Sequence, residues 1–200
     1  AIGTLYEVID VCLSTKGFKM VQIVNVVASG ALDVELDLES VAQELDDIVD
    51  YDPEKYPGAY FRFGDDAPLI TLYRTGKYII TGSSSEAEAG RLRDEFLTVL
   101  HRHGIVSAAD DAWFTVQNYV CMADVERAVN LSALAIGLGL EVTEYEPEQF
   151  PGLVYRPHDY TCVLLIFGSG KVVITGAADV ETAEEAFDHL QDQVDDLLTS

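Results

Sequence analysis

Basic residues are scarce in this chain. Lysine and arginine number 12 against 35 aspartates and glutamates in 200 residues, a net charge of −23. A protein that grips nucleic acid mainly through phosphates needs clustered cations, so the composition argues against that mode. The acids occur in both halves rather than in one tail. This fits a solvated acidic surface, or its sharper version, adaptation to a high-salt cytoplasm. Cysteine is scarce too. Cys12, Cys121 and Cys162 are odd in number and lack metal-ligand spacing, so they are expected as buried apolar side chains in a reducing compartment. His101, His103, His158 and His189 do not group with them, and neither a metal nor any other cofactor is expected. No apolar run approaches the ~20 residues of a membrane helix. No basic, apolar, small-residue signal pattern opens the chain, so a cytoplasmic protein without membrane contact is expected. Acid pairs such as Asp46-Asp47 and Asp65-Asp66 fall in predicted turns or helix ends with no nucleophile or base beside them, so no enzymatic activity is expected.

What the chain does have is a repeat. Tyr51-Asp52-Pro53-Glu54-Lys55-Tyr56-Pro57-Gly58-Ala59-Tyr60-Phe61-Arg62 returns as Tyr145-Glu146-Pro147-Glu148-Gln149-Phe150-Pro151-Gly152-Leu153-Val154-Tyr155-Arg156. Pro147 lies 94 positions after Pro53, and Lys171 lies 94 after Lys77, in the matching segments 69–82 and 163–176. Asn118 lies 93 after Asn25, so one residue is gained or lost in between. A period this long exceeds that of solenoid units, roughly 20 to 50 residues, and points to two half-domains related by a pseudo-twofold axis. The expected division is an extension of unreadable role at 1–19, a first repeat at 20–106 and a second at 112–200.

Within the first repeat the pattern predicts a strand over 20–28 ended by Gly30, a short helix over 36–45, and strands over 48–51, 59–63, 69–73 and 77–81. Ser85 with Glu88 reads as a capping box opening a helix to about His101, with Leu92, Phe96 and either Val99 or Leu100 inward. The second repeat has the same order. Its last helix carries an apolar stripe of Ala183, Phe187, Leu190, Val194 and Leu197, with Glu184, Glu185, Asp188, Asp192, Asp195 and Asp196 on a solvated side. Leu5 to Val11 partly alternates and could form an extra strand. One long and one short helix per repeat cover about one face of the strands. Val27, Ile79, Val120, Leu165 and Val173 are therefore expected on an uncovered apolar face, which marks a binding surface or a homodimer closing face to face.

The motif at 146–156 and the run Leu164-Leu165-Ile166-Phe167-Gly168-Ser169-Gly170-Lys171-Val172-Val173-Ile174-Thr175-Gly176-Ala177, with their duplication and flanking asparagine strands, resemble the TATA-box-binding protein family, archaeal type. The resemblance spans about residues 20 to 198 and, with the acidity, suggests a halophile. It implies an α+β saddle: a ten-stranded curved antiparallel sheet with helices on the convex face. It also implies a general transcription initiation factor, nucleoid-associated, that binds and bends TATA-like double-stranded promoter DNA through the minor groove. Such a factor recruits transcription factor B and, indirectly, RNA polymerase. A divergent paralogue acting mainly as a protein-interaction module is the alternative.

Carried over by position, the resemblance makes Tyr56, Tyr73, Phe150 and Phe167 intercalating wedges. Asn25, Val27, Ile79, Thr81, Asn118, Val120, Val173 and Thr175 would meet bases and groove walls. Arg62, Lys77, Arg156 and Lys171 would hold phosphates, and Glu146 and Glu148 would face transcription factor B. The first repeat departs from the pattern. Both its wedges are tyrosines, whose hydroxyls need a partner or cost about 1–3 kcal/mol on burial in a base step, and Thr71 stands where the second repeat has Leu165. The lysine that often follows the Thr-Gly-Ala element is absent, replaced by Ser84 and Ala178.

Overall fold

The structure, a computed structural model, describes residues 20–107 and 111–199. The expected strand at Leu5 to Val11, Cys12 and most of the polar separator between the repeats lie outside the described residues. The chain divides into two compact units, Asn25–Gln117 and a second made of Asn118–Ser200 with the chain up to Val24. Together the described residues contain ten strands, antiparallel within each unit, and four helices, an α+β fold.

The first repeat is built from β1 (Gln22–Leu32), whose first three residues fall in the other unit, α1 (Leu38–Glu44), β2 (Val49–Asp50), β3 (Gly58–Phe61), β4 (Leu69–Tyr73), β5 (Lys77–Ser83) and α2 (Glu86–Arg102), with strand order β2-β3-β4-β5-β1. The second repeats this plan as β6 (Asp111–Asp124), α3 (Leu131–Leu138), β7 (Thr143–Glu144), β8 (Leu153–Tyr155), β9 (Val163–Ile166), β10 (Lys171–Ala177) and α4 (Val180–Thr199), in the order β7-β8-β9-β10-β6.

Side chains alternate across these strands, so each unit has two sheet faces. Ala59, Phe61, Ile70, Leu72, Tyr78 and Ile80 are fully buried on one face of the first unit, with Phe96 of α2 edge-on to Phe61 at 5.1 Å. In the second unit Leu153, Leu164, Ile166, Val172 and Ile174 hold the positions equivalent to Ala59, Ile70, Leu72, Tyr78 and Ile80, and α4 packs on β10. Polar atoms fix where the helices start. Ser85 Oγ accepts from Glu88 N (3.2 Å), and the Glu88 carboxylate accepts from Ser84 N (2.6 Å), one residue earlier than in the usual box. Asn130 Oδ1 accepts from Ala133 N, and Asp179 Oδ1 from Thr182 N, at the starts of α3 and α4.

Two expectations change, and one open alternative is decided. Gly30 does not end β1; it pairs with Tyr78, and a Cβ there would sit 2.2 Å from the Tyr78 ring, so the residue is small to admit that ring. Of the two residues expected inward in the last turn of α2, Leu100 is the buried one and Val99 is half-buried. Leu197, placed on the buried stripe of α4, is 40% exposed, whereas Ala186 is fully buried. The six acids expected on the solvated side of α4 are exposed.

Candidate nucleic-acid interface

The second sheet face of each unit carries the residues of interest. In the first unit a cross-strand row runs Ser29, Ile79, Thr71, Tyr60. The matching row of the second is Met122, Val173, Leu165, Val154. Three polar groups thus stand where the other repeat is wholly apolar. Val27, Ile79, Thr81 and Thr175 are half-buried. Val120, Leu165 and Val173 were expected against water, and here the structure differs. They are buried in a cluster with Met122 and Phe167, against which Val24, Phe150, Val154 and Val163 pack.

An aromatic pair closes one end of each face. Phe150 and Phe167 meet edge-on with ring centroids 5.9 Å apart, and Tyr56 and Tyr73 lie tilted at 6.2 Å. Under each pair is a glycine. A Cβ on Gly152 would come within 2.7 Å of Phe150 and 3.1 Å of Phe167, and one on Gly58 within 3.1 and 3.2 Å of Tyr56 and Tyr73. The Pro-Gly of the repeated motif therefore makes room for the rings, a role that sequence reasoning missed although the glycine recurs in both copies. Tyr60, also missed, stacks on Tyr56 at 5.2 Å.

The tyrosine hydroxyls solve their own polar problem: Tyr56 Oη and Tyr73 Oη are 2.6 Å apart. The Tyr73 phenol is pushed up to about 12, first by burial and then by this hydrogen bond. The raised value means the folded state favours the neutral phenol. Its contribution to stability is complete below the ordinary tyrosine value near 10 and is lost as pH climbs toward about 12. Tyr56→Phe removes one of the raising causes, so the Tyr73 midpoint should fall toward its ordinary value. An NMR titration of the tyrosine Cζ resonances reads this directly, and an unmoved midpoint would show that the hydroxyls are not bonded.

Asn25 and Asn118 sit beside a bulge in each unit. The β1–β5 register shifts between Val26 and Ala28, and the β10–β6 register between Thr175 and Ala177. At these bulges Gly82 and Gly176 adopt φ of +93° and +85°, which favours glycine, and their N–H groups leave the strand ladder. Asn25 Oδ1 accepts from Gly82 N, and Asn118 Oδ1 from Gly176 N, each at 2.7 Å. Only an oxygen can accept there, so the amide orientation follows, and each Nδ2 group faces away with its two donors. Asn25 is buried and Asn118 half-buried.

The charged candidates are dispersed. Arg62, Lys77 and Arg156 are exposed and Lys171 half-buried; Arg62 also donates to the Ala67 carbonyl at 3.2 Å. Glu146 and Glu148 are exposed, and Gln149 Nε2 donates to Glu146. Among the described residues no helix is long and apolar enough to cross a membrane, and no three His, Cys, Asp or Glu side chains converge as a metal site. Cys121 and Cys162 are buried free thiols, both with pKa raised by burial.

Two antiparallel five-strand units, each with a helix-free face, an aromatic pair and an asparagine at a bulge, define a duplicated binding fold. The family model described as transcription factor TFIID (or TATA-binding protein, TBP) matches residues 20–103 and 113–197, and the chain belongs to this family. It is 52% identical over 179 residues to TATA-box-binding protein C of Halobacterium salinarum, covering 89% of this chain and 99% of that one. Against the TATA-box-binding protein of Haloarcula marismortui it is 47% identical over 178 residues, covering 88% and 94%. The solved structure of Methanococcus jannaschii TBP matches with a TM-score of 0.77 at 40% identity, over 88% of this chain and 99% of that chain. The fold is thus that of the archaeal members, and these relatives include halophiles.

Proposed function

We propose that this chain is a general transcription initiation factor that binds TATA-like promoter DNA in the minor groove, bends it, and recruits transcription factor B. Membership in a family of DNA-binding transcription factors supports the first part. The observation that carries the reading is the pair of asparagine amides, whose oxygens are committed to Gly82 and Gly176 and whose donors are left for a ligand. A·T and T·A pairs show only acceptors in the minor groove, N3 and O2, so an amide donor matches either orientation. Val27, Ile79, Thr81, Val120, Val173 and Thr175 would line the groove around these donors. Tyr56, Tyr73, Phe150 and Phe167 would enter base steps at the two ends, and TA steps would be favoured because they unstack most easily. TATA-binding proteins are themselves the standard example of minor-groove kinking, so the bend is an expectation carried over from the family.

Arg62, Lys77, Arg156 and Lys171 would hold phosphates, but four cations on a chain of charge −23 supply little attraction at low salt. At molar salt the Debye length shrinks to ~3 Å, repulsion is screened, and burial of apolar surface carries the affinity. Glu146 and Glu148, exposed on the loop before β8, would offer transcription factor B an acidic contact, with RNA polymerase reached through that partner. Fluorescence energy transfer across a TATA duplex, titrated with the protein from low to molar salt, tests the reading. The expected result is bending that strengthens with salt; failure to bind or bend such a duplex at every salt concentration would overturn it.

A further inference from the structure

The helix-free faces of the two repeats differ in chemistry as well as in burial. The row Ser29, Ile79, Thr71, Tyr60 of the first repeat answers to Met122, Val173, Leu165, Val154 in the second. Tyr60 stacks on Tyr56 and belongs with the aromatic end. The contrast that remains is a serine and a threonine flanking Ile79, where a methionine and a leucine flank Val173. Ser29 is half-buried, and Thr71 is only 9% exposed. Among the described residues no hydrogen bond engages either hydroxyl. The Thr71 methyl lies toward Gly58, where a Cβ would meet it at 2.8 Å, so the apolar half of the side chain is the part committed to packing. A hydroxyl held this deep without a partner is a cost to the free protein, which a ligand that supplies the partner removes.

A hydroxyl both donates and accepts. In the minor groove it can donate to N3 of adenine or O2 of thymine, and it can accept from the amino group that a G·C pair adds there. Leucine does neither, and a methionine sulfur accepts only weakly. A guanine amino group pressed against Met122 and Leu165 would lose its water and find no partner. Size works in the same direction, since serine and threonine leave room for the added group where methionine and leucine do not. We propose that the first repeat accepts a G·C pair in the half of the DNA element it covers, with Ser29 and Thr71 taking the guanine amino protons, and that the second repeat excludes one. This rests on the minor-groove reading above and names the sequence that the site takes.

The test uses a duplex whose core is a self-complementary run of alternating T·A and A·T pairs, on which the protein can lie in either direction. Fluorescence anisotropy at molar salt compares it with duplexes carrying one G·C pair, moved in turn through the positions of one half, or two at mirrored positions in both halves. At one or more positions a single G·C pair should cost only about twofold, the loss of one of two equivalent orientations. Mirrored pairs at those positions should cost more than about tenfold, the scale of one wrong base pair, because one of them must meet the second repeat. In a Ser29→Ala, Thr71→Val variant the single pair should also cost about tenfold relative to the all-A·T duplex. Thr71→Ser keeps the hydroxyl and should keep the parent's profile. Should the double variant fail to fold, Thr71→Val alone, close to threonine in shape, takes its place. A single pair that costs the parent about tenfold at every position overturns the proposal. So do mirrored pairs that cost about fourfold or less, the product of two tolerated losses, and so does a variant with the parent's profile. If neither protein binds the all-A·T duplex, the minor-groove reading falls and takes this inference with it. If both bind it and the contrasts are missing, this inference alone falls.

Discussion

A Phe150→Ala, Phe167→Ala protein is expected to lose bending of a TATA duplex and at least about 100-fold in affinity, about 2.7 kcal/mol. Unstacking a base step costs a few kcal/mol and is offset only if a side chain fills the opened step and the bent duplex then covers more protein. Alanine reaches too short a distance to fill it. The two rings support each other at 5.9 Å and rest on Gly152, so as wedges they would enter as one preformed edge rather than as two mobile side chains. Phe167 is also part of a buried cluster, and deleting a buried phenylalanine costs roughly 3–5 kcal/mol of stability. Phe150→Ala alone, at a half-buried position, therefore accompanies the double variant, with thermal melting to separate loss of fold from loss of bending. Tyr56→Ala, Tyr73→Ala should cost less, because those rings must first give up their mutual hydrogen bond to enter a step. A double phenylalanine variant that folds and still bends the duplex would defeat the wedge assignment.

The second large effect is expected from Asn118→Asp with Asn25→Asp. Aspartate keeps an oxygen where Gly176 N and Gly82 N need an acceptor, so stability should stay within about 1 kcal/mol at half-buried Asn118 and fall further at buried Asn25, where the new charge loses water. The other end of the side chain changes from two donors to an anionic acceptor, which in the proposed complex would face the acceptors of the minor groove. Loss of the donor contact and the added repulsion together should weaken duplex binding by on the order of 100-fold per site, largely independent of which A·T orientation is offered. Asn118→Ala is the less informative change, because it removes the donors and also orphans the Gly176 amide. Binding within twofold of the parent by the folded double aspartate variant, or by Asn118→Asp alone, would refute the role given to the amides.

Much of the architecture could be read in the residues because each decisive signal was local or repeated. β4 ends at Leu69 and Tyr73 as expected, since Gly64-Asp65-Asp66 on one side and Arg74-Thr75-Gly76 on the other leave no choice of register. The Ser85–Glu88 pair marks the start of α2 because capping acts over three or four residues. The constant offset between the copies then carries each assignment from the clearer half to the other. Gly30 misled for the opposite reason: glycine in a strand reads as a stop until its partner Tyr78 is known.

The amino-acid sequence alone determined the duplication, the alternation that makes two-faced sheets, the amphipathic helices and the family, since all of these rest on spacing along the chain. Only the tertiary structure decided which end of each asparagine is free, how two tyrosine hydroxyls satisfy one another, and which of two matching apolar faces is closed. Those outcomes depend on groups far apart in sequence, 57 and 58 residues for the asparagine bonds. Pairwise meetings at that range are set by how whole strands stack, which no window of neighbouring residues encodes.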